Sequence, residues 1–428
     1  MLFLLKENMK LDKFFSPKSI AIIGASNHTE KVGGILMKKA LKSKCEIIPI
    51  NPSHLEIFGV KCYKDINNYN GDIDLAVIAI PKDFVYQSIE EIGKKGIKNV
   101  IIVSAGFSEV GNNKDEKKIV EIAKKYGIKF IGPNCFGICN AYVNLDLTFA
   151  METPKKGNIA FVSQSGALWS YLADLDYGFS GYVGLGNMAD LEFCDFVEHF
   201  SNDENTKSII LYIEKLKNGK EFIETCKNAV EKGKKIYAVK AGKSEAGEKA
   251  TFSHTASLAS DYEIYKGAFK QAGIILCSTI EEALFMASGK KIWLENKNTN
   301  NKIKFDKEVY IITNAGGAGA LMSDYLYEKG IKIIADKDII GTALSENYLA
   351  ALEEAGKQTN NILVVLTCQS MSDVNETAQV IADFKNKTGK NVAALFLGDK
   401  SVRVANDIFK NNDVVYFNNF SDAGAGIF

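Results

Sequence analysis

Short apolar segments alternate with longer segments rich in lysine and glutamate along almost the whole chain. The apolar segments are rich in Ile and Val, and the charged segments between them have helical spacing. Examples of the first kind are "SIAIIGAS", "IDLAVIAIP" and "NVIIVSAGF", and an example of the second is "KDEKKIVEIAKKYG". Strands of a parallel sheet are uniformly apolar because helices cover both of their faces. The alternation therefore predicts an α/β chain built from doubly wound parallel sheets.

The alternation falls into three blocks, and a chain of 428 residues is long enough for two or three domains. A polar stretch, "ENKNTNNKIKFDKE", separates the second block from the third. These two blocks begin alike, with a strand, a loop of small residues and a helix, in "AFVSQSGALWSYL" and "YIITNAGGAGALMSDYL". We predict one domain over residues 1–145, a second over 146–294 and a third over 305–428.

The charge and apolar patterns exclude two classes of partner. Lys and Arg number 52 and Asp and Glu also number 52, so the chain lacks the basic excess of nucleic-acid or membrane-surface proteins. No apolar run approaches the roughly 18 residues that cross a bilayer, and the opening segment falls short of the about 7–15 apolar residues of a secretory leader. We therefore expect a cytoplasmic protein that binds neither nucleic acid nor membrane.

The eight cysteines are scattered, and only Cys135 and Cys139 lie close together in sequence. A zinc site built on such a pair needs a second pair at similar spacing, which the chain lacks. We therefore predict that this chain holds no metal ion.

The strands of the first block end in small loops at one predicted sheet edge, where open α/β sheets bind ligands. The loop after the first strand lacks the G-x-G-x-x-G spacing of a dinucleotide loop. The second strand ends before Pro52 without an acidic residue, which disfavours a nicotinamide dehydrogenase. Candidate ligand-contacting residues at this edge are Gly24, Ser26, Val32, Gly33, Pro52, Pro81, Ser104, Gly106, Phe107, Asn134 and Cys135. These turns either line one long slot or are ordinary turns, and the local sequence leaves both possibilities open.

Two loops in the second and third blocks are suited to bind phosphate. Each connects an apolar strand to a helix through small residues, and the N–H groups at a helix start attract anions. The residues concerned are Ser165, Gly166, Gly317 and Ala318. The alternative is that both Gly-rich turns serve close packing only.

His254 lies in "SHTASLAS", among small and hydroxylated residues, and is one of four histidines in the chain. A structural histidine normally lies in an apolar pattern, which this segment lacks. A neutral imidazole among small side chains is open to a bound phosphate, so His254 is a candidate phosphoryl acceptor. The alternative that the local sequence leaves is an exposed histidine without a chemical role.

Motifs along most of the chain occur together, and in this order, in one protein family. They are "SIAIIGAS", "PINP", "IDLAVIAIP", "VSAGFSE", "GPNCFGICN", "NIAFVSQSGAL", "LYIE", "AVKAGKSEAGEKATFSHTASLA" and "ITNAGGAGAL". As a set they resemble the α subunit of ADP-forming acyl-CoA synthetases, relatives of succinyl-CoA synthetase, up to about residue 335. The resemblance implies a Rossmann-like CoA-binding domain followed by two flavodoxin-like domains.

The resemblance also implies a reaction. In that family acyl-CoA and phosphate give an acyl phosphate, a histidine accepts the phosphoryl group, and the phosphohistidine then phosphorylates ADP. By this resemblance His254 is the phosphorylated histidine and Glu214 holds its unphosphorylated imidazole. A carboxylate on one ring nitrogen fixes the tautomer and leaves the other nitrogen as the nucleophile.

The resemblance further assigns binding sites and partners. The phosphate site corresponds to the two helix starts, with Ser165 and Gly166 in one and Gly317 and Ala318 in the other. The first-block loops correspond to the CoA site. CoA or acyl-CoA and phosphate would bind this chain, whereas ADP or ATP with Mg would bind a separate ATP-grasp β subunit in a hetero-oligomer such as α2β2.

The chain also departs from the family pattern. The histidine segment contains "SHTASLAS" where relatives have "SHTGSLAG". The third block looks shortened, since the Asn-Pro-x-Asp motif is missing after "IKIIADKDII" and the sequence stops at "DAGAGIF" without the usual closing helix. These departures keep a rival interpretation open, namely a non-catalytic CoA- or acyl-CoA-binding sensor or scaffold with a degenerate third domain.

Overall fold

The computed structural model describes residues 11–244, 247, 260–290 and 301–428. Within these residues three large sheets follow one another along the chain, and helices pack against each of them. The predicted α/β class is therefore confirmed. In the described part of the chain, no helix is both long and apolar enough to cross a bilayer.

The first sheet is parallel throughout, with the strand order β2-β1-β5-β6-β7. Its strands and an adjoining short hairpin are β1 (Ser19–Ile23), β2 (Glu46–Ile50), the hairpin β3 (Glu56–Ile57) and β4 (Val60–Lys61), β5 (Leu75–Ile78), β6 (Asn99–Ile102) and β7 (Lys129–Ile131). The helices of this unit are α1 (Asp12–Phe15), α2 (Val32–Ala40), α3 (Val85–Lys94) and α4 (Asn113–Tyr126). Because the strand order reverses between β1 and β5, the carboxyl ends of these two strands form the switch point at which such sheets bind ligands.

The second sheet has the strand order β14-β13-β12-β10-β11-β8-β9. Its strands are β8 (Gly137–Asn140), β9 (Leu145–Thr148), β10 (Lys155–Ser163), β11 (Gly178–Gly184), β12 (Ser208–Ile213), β13 (Lys235–Lys240) and β14 (Ile275–Leu276). Its described helices are α5 (Ala167–Asp174), α6 (Phe193–Asn202), α7 (Gly219–Glu231), α8 (Ser260–Gln271) and α9 (Ile280–Ser288). The strands from β10 to β14 pair in parallel, as the alternation of the second block predicts.

An antiparallel hairpin of β8 and β9 extends the second sheet beside β11. The predicted end of the first domain at residue 145 falls within this hairpin and stays a prediction. A buried ion pair connects the hairpin to the first unit, because the Lys39 ammonium on α2 donates to the Asp146 carboxylate at 2.9 Å. The hairpin therefore packs on both units.

The third sheet is parallel, with the strand order β16-β15-β17-β18-β19. Its strands are β15 (Glu308–Thr313), β16 (Lys332–Asp338), β17 (Asn361–Thr367), β18 (Asn391–Leu397) and β19 (Val415–Phe417). Its helices are α10 (Gly316–Glu328), α11 (Ser345–Gln358), α12 (Val374–Thr388), α13 (Arg403–Asn411) and α14 (Phe420–Gly426).

Helix α14 corrects one expectation, because the sequence led us to expect no closing helix. The Asn419 side chain accepts a hydrogen bond from the Asp422 N–H at 2.7 Å and so caps the start of this helix. The side chain of Phe420 is buried in the core that the second and third units share. The expectation of a shortened third domain as a whole stays a prediction.

The second and third units pack against each other through apolar and polar contacts. Trp169, Leu321 and Leu395 belong to one continuous buried core that spans both units. Asp174, at the end of α5, accepts hydrogen bonds from the Asp399 N–H at 2.6 Å and from the Ser401 hydroxyl at 2.8 Å. These contacts hold the second and third units together, and the Asp174 contacts lie at the end of α5 opposite to its start.

Candidate active site

The two predicted phosphate-binding helix starts meet where the second and third units touch. Helices α5 and α10 each begin shortly after the first parallel strand of their unit. A Cβ atom at Gly317 would overlap the Cβ and Oγ of Ser165 and lie 3.0 Å from the Tyr212 hydroxyl. Only glycine permits this approach, so the close packing that was the alternative explanation for Gly317 is present. The phosphate-binding role of this meeting point stays a prediction.

Hydrogen bonds hold the loop before α5 in place. The Gln164 side-chain oxygen accepts from the backbone N–H groups of Glu214 and Lys215 at 2.7 and 3.0 Å. The Tyr212 hydroxyl donates to the Gly317 carbonyl at 3.1 Å. These hydrogen bonds connect the loop before α5 to the end of β12, and they connect β12 to α10. These contacts fix the loop before α5 relative to the start of α10, and a site that stabilises a phosphoryl group would need such preorganisation.

The other two predicted phosphate residues are tightly packed. A Cβ at Gly166 would overlap the side chain of Phe136, so this glycine is also needed for packing. Ala318 is fully buried, and its N–H donates to the Ala315 carbonyl at 2.9 Å. Any contribution of Ala318 to an anion site would therefore come from the helix dipole and not from a directed N–H group.

Two carboxylates beside the start of α10 were missed in the sequence. Burial raises the pKa of Asp338, while hydrogen bonds from the backbone N–H groups of Ile340 and Gly316 lower it. Burial also raises the pKa of Asp336 to about 7, against a hydrogen bond from Ser323. An anion bound at this helix start would therefore lie near two carboxyl groups whose pKa burial raises.

Glu214 directly follows β12, beside the Ser165 loop, and its side chain is half-buried. Burial raises its pKa to about 7, although the Lys240 charge and a hydrogen bond with Tyr212 lower it. Its pKa then matches that of an ordinary imidazole, which titrates near 6.5. His254, the predicted phosphoryl acceptor, lies outside the described residues, so the contact of Glu214 with the imidazole stays a prediction.

Lys240 was also missed, although a lysine ending the apolar strand "KIYAVK" was a visible signal. Its side chain is buried at the end of β13, and its ammonium lies 4.9 Å from the centre of the Tyr265 ring. It also donates to the Ala241 carbonyl. A buried cation close enough to stabilise the Glu214 carboxylate adds positive potential to this end of the second sheet.

The loop after β1 lies at the switch point of the first sheet. Gly24 has a φ of +88°, and a Cβ there would overlap the Ala79 carbonyl at the end of β5. A Cβ at Gly33 would overlap the Gly24 carbonyl, so the start of α2 lies directly on the loop. Ser26 accepts a hydrogen bond from the His28 N–H at 3.0 Å. Val32 begins α2, so the N–H groups of this helix start are at the switch point, which suits a diphosphate.

The remaining predicted CoA loops lie at the same edge. Pro52 is exposed after β2, and Pro81 follows β5. The Ser104 hydroxyl donates to the Ile80 carbonyl at 2.5 Å and so joins the loops after β5 and β6. Asn134 donates to the Asn187 side chain at 3.3 Å, which connects this edge to the second unit. These loops lie at one edge of the first sheet, and the prediction that they line a CoA slot stays a prediction.

Two of the predicted CoA residues direct their side chains into the core. Phe107 is fully buried, and the backbone N–H groups of Gly106 and Phe107 donate to the Glu109 carboxylate at 2.5 and 3.1 Å. Cys135 is 2% exposed, and its thiol donates to the Ile102 carbonyl at 3.2 Å. Any contact of Phe107 or Cys135 with CoA would therefore be made by their backbone atoms.

The burial of Cys135 predicts its reactivity. Burial raises the pKa of this thiol to about 12, so the reactive thiolate is scarce at neutral pH. Cys45 is partly exposed, whereas the other seven cysteines are buried. We expect a thiol-reactive reagent to modify Cys45 first in the native chain, and Cys135 only after denaturant is added. Peptide mapping after labelling checks this, and rapid native labelling of Cys135 would contradict its placement.

Among the residues that the structure describes, no three Asp, Glu, His or Cys side chains are grouped as metal ligands would be. The sequence-based expectation of no metal on this chain stays a prediction.

Family models and known proteins match this arrangement. Residues 18–141 match the model of a CoA binding domain, and residues 156–289 match that of a succinyl-CoA ligase like flavodoxin domain. The α subunit of acetate–CoA ligase (ADP-forming) II from Pyrococcus furiosus is 38% identical, over 98% of this chain and 96% of the relative.

The chain belongs to the family of ADP-forming acyl-CoA ligase α subunits. The predicted Rossmann-like CoA-binding domain followed by flavodoxin-like domains is thereby confirmed. A solved structure extends the match to all three units of this α subunit. The dinucleotide-forming acetyl-coenzyme A synthetase 1 of Candidatus Korarchaeum cryptofilum, in complex with phosphate and ADP, is 30% identical with a TM-score of 0.62, over 98% of this chain and 95% of that one.

Family membership decides between the interpretations that the sequence left open. An ADP-forming ligase subunit is a catalytic protein, so the sensor and the nicotinamide dehydrogenase interpretations are set aside. Acetate–CoA ligase (ADP-forming) from Methanocaldococcus jannaschii is 47% identical over 74% of this α subunit, but that match covers only 44% of the relative. The longer relative therefore contains a large part that this match does not reach.

Proposed function

We propose that this chain is the catalytic α subunit for the reaction acyl-CoA + ADP + phosphate ⇌ carboxylic acid + ATP + CoA, with His254 as the phosphoryl carrier. The observation that supports this most is the meeting of the α5 and α10 starts at Ser165 and Gly317, beside Glu214. Helix starts from two units facing one point form a natural site for a phosphoryl group. Phosphoryl transfer depends mainly on positioning and charge stabilisation, which this arrangement offers.

The proposed reaction has three steps. A phosphate oxygen attacks the thioester carbonyl, the carbon–sulfur bond breaks, and CoA leaves as a thiol after taking a proton. A ring nitrogen of His254 then attacks the phosphorus of the acyl phosphate, and the carboxylate leaves. The terminal oxygen of ADP finally takes the phosphoryl group from His254 and gives ATP. In this scheme the Glu214 carboxylate accepts a hydrogen bond from the N–H of the other ring nitrogen. The two helix starts stabilise the transferred phosphoryl group.

We further propose that ADP and Mg²⁺ bind a separate ATP-grasp β subunit, in an assembly such as α2β2. Two relatives from Pyrococcus furiosus are named as α subunits, and the chain covers 96% and 94% of them. Several relatives are named acetate–CoA ligases, so acetyl-CoA is the first substrate to test. CoA would bind along the switch point of the first sheet, where Gly24 and Gly33 allow close backbone approach.

The decisive experiment is intact-mass analysis of the purified chain after incubation with phosphate and each of a panel of acyl-CoAs, with and without the partner subunit. We expect one acid-labile phosphoryl group on the chain, dependent on a particular acyl-CoA, and peptide mapping should place it on His254. Absence of the group in the reconstituted complex, despite measurable CoA binding, would contradict the proposal.

Glu214→Gln tests the proposed role of the carboxylate. Glutamine has an oxygen for hydrogen bonding but no charge, so we expect histidine phosphorylation to slow by about 10²-fold. Because the wild-type carboxyl group has a pKa of about 7, the wild-type rate should fall as the pH drops through 7. Rapid-quench rates at several pH values check this, and an unchanged rate in the variant would contradict the role.

Glu214→Gln should slow phosphorylation but increase the stability of the fold at high pH. The folded-state pKa of Glu214 lies above its unfolded value of 4.5, so its burial costs stability increasingly as the pH rises from 4.5 through about 7. We expect Glu214→Gln to melt at the same temperature as wild type near pH 4.5 and at a higher temperature at pH 8. A melting difference independent of pH would indicate that packing, not charge, is responsible.

A further inference from the structure

The carboxylate of Asp324, on α10, is buried at the end of β13, far from the start of its own helix. Its side chain is 3% exposed. One oxygen accepts from the backbone N–H groups of Gly242 and Lys243 at 2.8 and 3.0 Å. The other accepts from the Ser244 N–H at 2.8 Å and from its hydroxyl at 2.7 Å. A single side chain of the third unit thus holds three consecutive residues of the second unit.

These three residues are where the chain leaves the second sheet. β13 ends at Lys240, and His254 lies ten positions after Ser244 in the sequence. The Ser244 hydroxyl also accepts a hydrogen bond from the Gly247 N–H at 2.9 Å, and a Cβ at Gly247 would overlap the Asp324 carboxylate. Asp324 therefore contacts the described residues that follow β13 on the way to His254, namely residues 242–244 and 247.

The same helix also contributes Gly317 to the meeting point of the two helix starts. Asp324 lies seven positions after Gly317, which corresponds to about 10 Å along a helix that rises about 1.5 Å per residue. Because Asp324 and Gly317 lie on the same helix, α10 connects residues 242–244 directly to the predicted phosphate site. Phosphoryl transfer depends on such positioning.

We infer that Asp324 is a positioning residue for phosphoryl transfer, because it holds the exit of β13 at a set distance from the Ser165–Gly317 meeting point. It contacts neither the phosphoryl group nor the nucleotide and acts through the backbone of residues 242–244. The inference rests on the proposed function, since it assigns a purpose to the anchored segment only if His254 is phosphorylated. It gives the third unit a second role in the reaction, besides the start of α10.

Asp174 offers a matched control. Its carboxylate is 1% exposed and accepts three hydrogen bonds across the same boundary, from the N–H groups of Asp399 and Ser401 and the Ser401 hydroxyl. It belongs to the far end of α5, away from the exit of β13. Asp324→Ala and Asp174→Ala therefore each remove one buried carboxylate between the second and third units, but only the first removes the anchor.

The experiment compares wild type, Asp324→Ala and Asp174→Ala in complex with the partner subunit. We expect the single-turnover rate of His254 phosphorylation from acyl-CoA and phosphate to fall about 10- to 100-fold in Asp324→Ala. The rate should stay near wild type in Asp174→Ala, although both variants melt at lower temperature. The dissociation constant for CoA should be unchanged in both, because the predicted CoA loops belong to the first sheet.

Amide hydrogen exchange gives a readout that is independent of turnover. Exchange at Gly242–Ser244 should accelerate in Asp324→Ala, and exchange at Asp399 and Ser401 should accelerate in Asp174→Ala. If Asp324→Ala does not fold, Asp324→Asn replaces it, because the amide keeps one of the two acceptor oxygens and should give an intermediate rate.

Equal phosphorylation rates in the Asp324 and Asp174 variants would overturn the inference, as would a wild-type rate in Asp324→Asn when Asp324→Ala does not fold. Absence of the phosphoryl group from wild type itself would contradict the proposed function, and the inference with it.

Discussion

Replacing His254 with alanine should abolish ATP formation, with a loss of at least about 10⁴-fold, the order seen when a nucleophilic side chain is removed from a covalent catalyst. The phosphoryl group of the acyl phosphate then has no acceptor on the chain and cannot reach ADP. CoA binding should change little, since the predicted CoA loops lie at the edge of the first sheet. The measurement is coupled ATP formation from acyl-CoA, ADP and phosphate, beside a CoA titration of the same preparation.

His199→Gln serves as the control for His254→Ala. His199 is stacked on Phe15 with ring centroids 4.2 Å apart, and burial lowers its pKa. This histidine is part of the packing between α1 and α6, so its replacement should reduce stability but leave turnover and the phosphoryl label in place. Retained turnover in His254→Ala, or loss of the label in His199→Gln, would mean that the carrier is misassigned.

Replacing Gly317 with alanine should reduce histidine phosphorylation by about 10²-fold and destabilise the fold by roughly 1–3 kcal/mol. The added Cβ would overlap both the Cβ and the Oγ of Ser165, and Cβ atoms are part of the rigid framework of a helix start. The two helix starts must then move apart, which would distort the proposed phosphate site between them. Rapid-quench phosphorylation and thermal melting measure the two effects.

Gly267→Ala separates this effect from a general response to losing a glycine. Gly267 lies within α8 and is exposed, and a Cβ added there would have no heavy atom within 4 Å. Alanine there should stabilise the helix by about 0.5–1 kcal/mol and leave phosphorylation unchanged. If Gly317→Ala behaves in the same way, the close approach to Ser165 has no part in the reaction.

The third unit has a larger part in the candidate site than its sequence indicated. The missing Asn-Pro-x-Asp motif and the apparent lack of a closing helix made this unit look degenerate. Its helix α10 nevertheless provides Gly317 beside Ser165 and Asp324 at the exit of β13. Both contacts are made with the second unit, so the arrangement exists only when the two units are packed together.

The spacing of apolar residues along the sequence was sufficient to predict the α/β class, the parallel sheets and the loops at which ligands are expected. A buried parallel strand and an amphipathic helix each have their own spacing of apolar residues, so their alternation is visible without knowledge of contacts. Helix α14 has no such spacing, because it is short and made largely of Gly and Ala, and its stability comes from burial of Phe420.

Only the tertiary structure decided which side chains surround the site and which turn away from it. Phe107 and Cys135 lie on predicted ligand loops, but the local turn of the backbone directs them into the core. Lys240 and Asp324 contact residues that are distant in sequence. Lys240 lies near Glu214, and Asp324 accepts a hydrogen bond from Ser244, which precedes it by 80 positions. The sequence by itself determined the sheets and the family, because apolar periodicity and the order of motifs are visible without knowledge of tertiary contacts. The contact of Asp324 with the end of β13 depends instead on how two units pack.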